Sequence, residues 1–221
     1  MATVSNENDP TTAGSHVSAP TVARQRASET TDGVVIPMPP QDGFTAEDLD
    51  RIPDLPPHTE LIDGNLVLVS PQKLFHMLIL RLLERELDQH VPQGLRVARE
   101  FSVKLAERQR PEPDLMPVQA SAFQELDQTW FPPEVVELAV EVVSPESEIR
   151  DRERKPQLYA RAGVRFFWRI EQDGNDAVLY EYEKDPASPS GDYGRPTIHR
   201  GTLKTSVPVK LEFDLTDILH R

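Results

Sequence analysis

Between residues 60 and 183 the apolar positions fall into short runs separated by Gly, Pro, Asp and Asn, a punctuation that predicts strands with helices inserted at two places. Residues 60–69 hold two apolar runs across Asp63-Gly64-Asn65, the chemistry of a tight hairpin turn. Ser70-Pro71 then reads as a helix N-cap and first helical residue, and Phe75, Leu78, Ile79, Leu82 and Leu83 recur at helical spacing to about His90. Residues 95–105 have strand character, with Val97, Phe101, Val103 and Leu105 in rough alternation, and residues 114–118 form a short strand after a turn at 110–113. Residues 135–143 have the composition of a central strand. A second helix is expected over 153–162, ended by Gly163 in the left-handed position. Residues 164–170 and 177–182 then pair as strands across Asp173-Gly174-Asn175, with shorter strands near 197–200 and 209–213. Ahead of the hairpin, Thr45 caps a short helix in which Phe44 and Leu49 can staple, and Pro53, Pro56 and Pro57 stop it.

Length and composition narrow the class. At 221 residues the chain suffices for one domain with a substantial core and is short for two. Residues 1–42 contain no Phe, Trp or Tyr and are rich in Ser, Thr, Ala and Pro, so they cannot bury enough surface to offset chain entropy. They are expected to be a disordered tail, with the domain spanning 43–221. The absence of cysteine excludes disulfides and thiolate metal ligands. No apolar run nears the roughly 18–20 residues a membrane span needs, and the start lacks a signal-like basic or apolar stretch, so the expected location is cytoplasmic. The formal net charge of −13 argues against a protein that coats nucleic acid electrostatically. Its distribution is more permissive: residues 150–169 carry seven bases against Asp151 and Glu153, enough for a basic strip to receive a phosphate.

Within 135–143 the side chains alternate, so Val136, Leu138, Val140 and Val142 share one face and Glu137, Ala139, Glu141 and Val143 the other. An acid inside a buried strand is costly unless paired, and a divalent cation is one partner. A half-exposed strand with solvated acids fits the same pattern. Asp114 follows Pro113 and opens the strand 27 positions before Glu141, close enough in the chain to neighbour it. Alone, it equally suits a turn aspartate that caps an amide. Two such carboxylates about 4 Å apart repel by roughly 4 kcal/mol at an effective dielectric near 20, so a cation must compensate. Mg²⁺ commonly takes one or two carboxylates and fills its remaining positions with water and substrate phosphate. Asp151, Lys155 and Tyr159 recur at four-residue spacing, one face of a continuous helix, but Pro156 is tolerated only in a first turn. The helix is therefore expected to begin no earlier than Arg152 or Glu153, with Asp151 as its N-cap and Lys155 reaching toward the end of the Glu141 strand.

The succession Glu60-Leu61-Ile62-Asp63-Gly64, Ser70-Pro71 with His76, Pro113-Asp114-Leu115, Val140-Glu141-Val142-Val143-Ser144-Pro145, Asp151 with Lys155 and Tyr159, and Gly163-Val164-Arg165-Phe166-Phe167-Trp168 resembles the Uma family of putative restriction endonucleases. These are bacterial relatives of the PD-(D/E)XK nuclease superfamily, and the resemblance spans roughly residues 44–183. It implies an α/β fold with a restriction-endonuclease-like core, a mixed β-sheet flanked by helices. It further implies Asp114 and Glu141 as metal ligands for Mg²⁺, with Mn²⁺ as the alternative. The superfamily's usual pattern has a lysine two positions after the second acid. Here that position is Val143, and the resemblance moves the role to Lys155. It also offers Glu60 as an additional acid near the metal, although Glu60 equally suits a hairpin edge, and it implies a homodimer. His76 reads first as a packed or hydrogen-bonded core histidine. The expected function is a Mg²⁺-dependent endonuclease hydrolysing DNA phosphodiester bonds, with Asp114, Glu141 and Lys155 catalytic. The competing expectation is a homo-oligomeric nuclease-fold module for binding or regulation with little or no catalysis. The negative charge and the lack of a helix-turn-helix or zinc finger favour it.

Overall fold

Six strands lie side by side in one mixed sheet in the computed structural model, which describes residues 37–189 and 191–220 and the backbone of a short pair, Thr30–Thr31 with Val34–Val35. Most of the expected tail over 1–42 lies outside the described residues. The sheet strands are β1 (Leu95–Arg99), β2 (Leu115–Gln119), β3 (Leu138–Val142), β4 (Phe166–Asp173), β5 (Asp176–Glu183) and β6 (Thr197–Arg200), arranged in chain order. Neighbours are antiparallel except β3 and β4, which run parallel from the Leu138–Phe166 pair to the Val142–Ile170 pair. A parallel step requires a crossover. The helical residues 148–161 provide it.

Strand alternation divides the sheet between two cores. Leu115, Leu138, Val140, Val142, Phe166, Trp168 and Ile170 pack with Ile79, Leu80, Leu83 and Leu87 of α1 (Leu74–His90) and with Leu203, Leu211 and Leu215 of the C-terminal segment. Met116, Val118, Ala139 and Phe167 face the other way, onto Tyr159 and Val164. Apolar cover on both sides explains the composition of β3, in which every residue is buried, Glu141 included.

The N-terminal hairpin, Glu60–Ile62 with Asn65–Val67, turns on Asp63 and Gly64 at φ 54° and 75°, the left-handed pair that a two-residue hairpin needs. It is tied to the domain where Leu61 and Arg110 exchange backbone hydrogen bonds of 3.0 and 2.8 Å. The buried Arg110 guanidinium in turn grips Asp50 through two bonds of 2.8 and 2.9 Å. These anchors carry Glu60 to its place in the site.

Three elements depart from the sequence expectation. Helix α1 begins at Leu74 with Lys73 as N-cap, which leaves Ser70-Pro71 outside it. Helices gain most of their stability from packing, and the apolar stripe starts only at Phe75, so residues 70–73 line a cavity instead. The strand expected over 95–105 breaks at Glu100, whose φ of 46° turns the chain so that Ser102–Val103 pairs with Trp130–Phe131. The third departure matters for function. The second helix is continuous from residue 148, with a π-helical turn at Arg150–Arg154 leading directly into α2 (Lys155–Arg161). Pro156 has no N–H and its ring would strike the carbonyl four residues back. The wider turn, in which the Lys155 N–H reaches the Arg150 carbonyl, accommodates it. Asp151 is consequently no N-cap but a buried interior residue, 1% exposed.

Candidate active site

Three elements deliver the site. Alternation along β3 sends Glu141 to the face that α2 covers, and there the Lys155 ammonium lies 2.8 Å from Glu141 Oε2 and the Tyr159 hydroxyl donates to Glu141 Oε1 at 2.6 Å. Lys155 Nζ also sits 2.8 Å from Glu60 Oε1 and 3.5 Å from Asp151 Oδ1. The second Asp151 oxygen accepts from the Ser147 hydroxyl. Strand β2 delivers Asp114, which stands one residue beyond the Leu115–Val140 pair and so across from Glu141. Its carboxylate is held at both ends: Oδ2 accepts the Val142 N–H at 2.6 Å and Oδ1 accepts from His76 Nε2 of α1 at 3.0 Å.

Burial makes these charges matter. Glu60, Glu141, Asp151 and Lys155 are each at most 4% exposed, whereas the Asp114 side chain is 14% exposed at the cavity surface. Burial raises the Glu141 pKa well above the ordinary carboxylate range; Lys155 opposes the rise, and the charges of Asp151, Asp114 and Glu60 add to it. Asp151 is raised as well, by burial against the opposing pull of Lys155 and Ser147. Burial pulls Lys155 down, but the carboxylates of Glu141, Glu60 and Asp151 outweigh it and hold the ammonium above its usual value. One ammonium among four carboxylates leaves an excess of negative charge, and the raised Glu141 pKa is its consequence.

These residues line a cavity of about 330 Å³ in which seven side chains are carboxylates and three are Lys or Arg. A concave, low-dielectric site with that imbalance concentrates cations. The donors are hard oxygens, the set that Mg²⁺ and Mn²⁺ prefer. Among the described residues no three acidic or imidazole groups form a ready-made metal cage. Mg²⁺ does not demand one, since one or two carboxylates with waters and phosphate oxygens suffice. Each carboxylate oxygen of Asp114 and Glu141 retains a second lone pair beyond the hydrogen bond it accepts, so both remain competent ligands. A larger cavity of about 1010 Å³ opens beside β5 and β6, but it holds none of these residues. Its buried Glu181 is already satisfied by His199 at 2.7 Å and Thr205 at 2.6 Å.

Asp114, Glu141 and Lys155, singled out in the sequence, thus meet at one cavity. Glu60 joins them from the hairpin as the partner of Lys155. His76 is a buried histidine, and it also orients Asp114. The sequence expectation makes Asp151 an N-cap, because Pro156 shortens a regular α-helix. Its four-residue spacing to Lys155 and Tyr159 was the signal that places it in the cluster.

The fold is shared with the crystal structure of a putative nuclease belonging to DUF820 from Anabaena variabilis, which superposes with a TM-score of 0.61 at 16% identity over 80% of this chain and 98% of that one. No curated protein matches the chain. The model of the Uma2 family, described as "Putative restriction endonuclease", matches residues 46–216. That match spans most of the chain, which therefore belongs to the Uma2 family.

Proposed function

We propose that the protein is a divalent-metal-dependent endonuclease that hydrolyses DNA phosphodiester bonds, with Asp114 and Glu141 holding Mg²⁺ or Mn²⁺ and Lys155 beside them. The observation that carries this reading is the meeting of an acid from β2, an acid from β3 and an ammonium from α2 at one cavity. The metal, when bound, supplies Lewis-acid polarisation and charge compensation for the scissile phosphate. Asp114 is held ready for it by the Val142 N–H and His76, so its orientation is fixed before substrate arrives. Tyr159 fixes Glu141 in the same way. Lys155 donates a hydrogen bond to Glu141 and forms an ion pair with Glu60, and the 3.5 Å approach to Asp151 is too long for a good hydrogen bond. One donor is therefore left for an attacking water or a phosphate oxygen. A homodimer, which would present two such sites to the two strands of a duplex, is part of the same proposal.

The test is cleavage of supercoiled plasmid by the purified protein in Mg²⁺ or Mn²⁺. Asp114→Ala and Glu141→Ala should each abolish cutting while retaining the wild-type circular dichroism spectrum. Equal cutting by wild type and both variants would overturn the assignment. The second reading, a nuclease-fold binding or regulatory module, is favoured by one observation: Lys155 and Tyr159 already donate a hydrogen bond to each oxygen of Glu141. An intact wild type that binds no divalent metal would select it.

A further inference from the structure

The stretch from Arg150 to Arg169 is the chain's most basic, yet the structure neutralises most of it. Arg152 pairs with Glu148 and with Glu171 at 2.6 Å, Arg154 with Asp63, Arg165 with Glu183 at 2.8 Å and Arg169 with Glu171 at 2.9 Å. Lys155 is enclosed by its carboxylates. Among the described residues, Arg150 and Arg161 are the members of this stretch without an ion pair, and of these two Arg150 lines the acidic cavity. Its Nε is shielded from solvent and has no hydrogen-bond partner among the described residues. A desolvated guanidinium N–H without an acceptor is costly. The cost is the more telling in a cavity walled by seven carboxylates, none of which pairs with it.

The backbone explains how Arg150 comes to be there. In an ordinary α-helix, residues five apart point to different sides, whereas residues joined by an i to i+5 hydrogen bond stack over one another. The Lys155 N–H bonds the Arg150 carbonyl in this way, so the turn that accommodates Pro156 sets Arg150 and Lys155 on the same, cavity-lining side. A second source of positive potential faces the same space. Lys73, the N-cap of the 17-residue α1, lines the cavity and has no ion pair among the described residues. The first turn of α1 contains no acid and has no side-chain cap among the described residues, so no residue of its own offsets the positive end of its dipole.

We infer that Arg150 is the phosphate-receiving group of this cavity, a positioning residue that takes a non-bridging oxygen of a DNA backbone phosphate, with Lys73 and the start of α1 adding to the field. The cavity then has an acidic side for a metal and a cationic side for the phosphate, which is how a protein of net charge −13 holds a polyanion. The inference rests on the nuclease reading and specifies its substrate contact.

The experiment measures binding of a fluorescein-labelled DNA duplex to the full-length protein by anisotropy across a salt series, with Ca²⁺ replacing Mg²⁺ to hold back cleavage. Mn²⁺ titration calorimetry on the same preparations reports the acidic side separately. Arg150→Ala should weaken duplex binding by about 10- to 100-fold and lower the slope of log K against log salt by about one unit. Its Mn²⁺ affinity should match wild type. Arg150→Lys keeps the charge without the planar fork, so it should keep the wild-type slope and recover only part of the affinity. This variant decides the matter if Arg150→Ala folds poorly. Wild-type duplex affinity and slope in either variant overturn the role of Arg150 and leave the nuclease reading standing. A wild type that binds Mn²⁺ but no duplex overturns both.

Discussion

Replacing Lys155 by Met keeps the length and bulk of the stem and removes the charge. In the wild type the ammonium lies 2.8 Å from Glu60, 2.8 Å from Glu141 and 3.5 Å from Asp151. At an effective dielectric near 20 these attractions amount to about 6, 6 and 5 kcal/mol before desolvation. Taking the ions out of water cancels most of that, and deleting one partner of a buried pair leaves a net loss of about 3–5 kcal/mol, because the remaining charges stay buried without compensation. A domain of this size shifts its melting temperature by about 2–4 °C per kcal/mol. The metal-free variant should therefore melt about 6–20 °C below wild type, as read by scanning calorimetry at neutral pH. A divalent cation can take over the missing compensation, so saturating Mn²⁺ should raise the melting temperature of Lys155→Met by more than it raises that of wild type. A variant that melts with wild type, or gains no more from Mn²⁺, would refute the claim that the ammonium and the metal serve the same carboxylates.

Two further outcomes follow from the same geometry. Tyr159→Phe removes the 2.6 Å hydrogen bond to a buried carboxylate and should cost about 1.5–3 kcal/mol in urea unfolding; an unchanged midpoint would show that Glu141 does not depend on it. The pH dependence of metal-free stability should reflect Glu141, whose folded-state pKa is raised well above the ordinary 4.5 by burial, with Lys155 opposing and the neighbouring acids adding. The native state binds this proton more tightly than the unfolded chain. The contribution is thus fully present below the unfolded value and is lost as pH rises through the folded one. Stability should fall across that window and Glu141→Gln should flatten the decline, whereas an identical slope in the variant would place the titration elsewhere.

Much of this arrangement was legible in the sequence. The Asp63-Gly64 turn, the end of the second helix at Gly163, which adopts a φ of 94°, and the apolar strand around Glu141 follow from local chemistry, and the structure realises each. A strand buried on both faces that still contains an acid was itself a sign of a site, because nothing in packing rewards that residue. What local reasoning could not supply was the route around Pro156. Proline excludes a regular α-helix through residues 152–156, and only the tertiary fold, which gains by bringing Asp151 and Lys155 over Glu141, selects a continuous helix with a π-turn over a later helix start. The early start predicted for α1 failed for the opposite reason: Ser70-Pro71 has the chemistry of a helix beginning, but no apolar stripe lies above residues 70–73 to hold them in one. The link between His76 and Asp114 was likewise hidden, since it depends on the distance between α1 and β2 and not on either sequence alone.

Asp114 and Glu141, converging on one cavity, are proposed to hold a divalent cation. The most direct test is calorimetric titration of the full-length protein with Mn²⁺, alongside Asp114→Asn and Glu141→Gln. Saturable binding by wild type, lost in both variants while each keeps its fold, is the predicted result. Binding that survives both substitutions, or a well-folded wild type with no affinity for the ion, would contradict it.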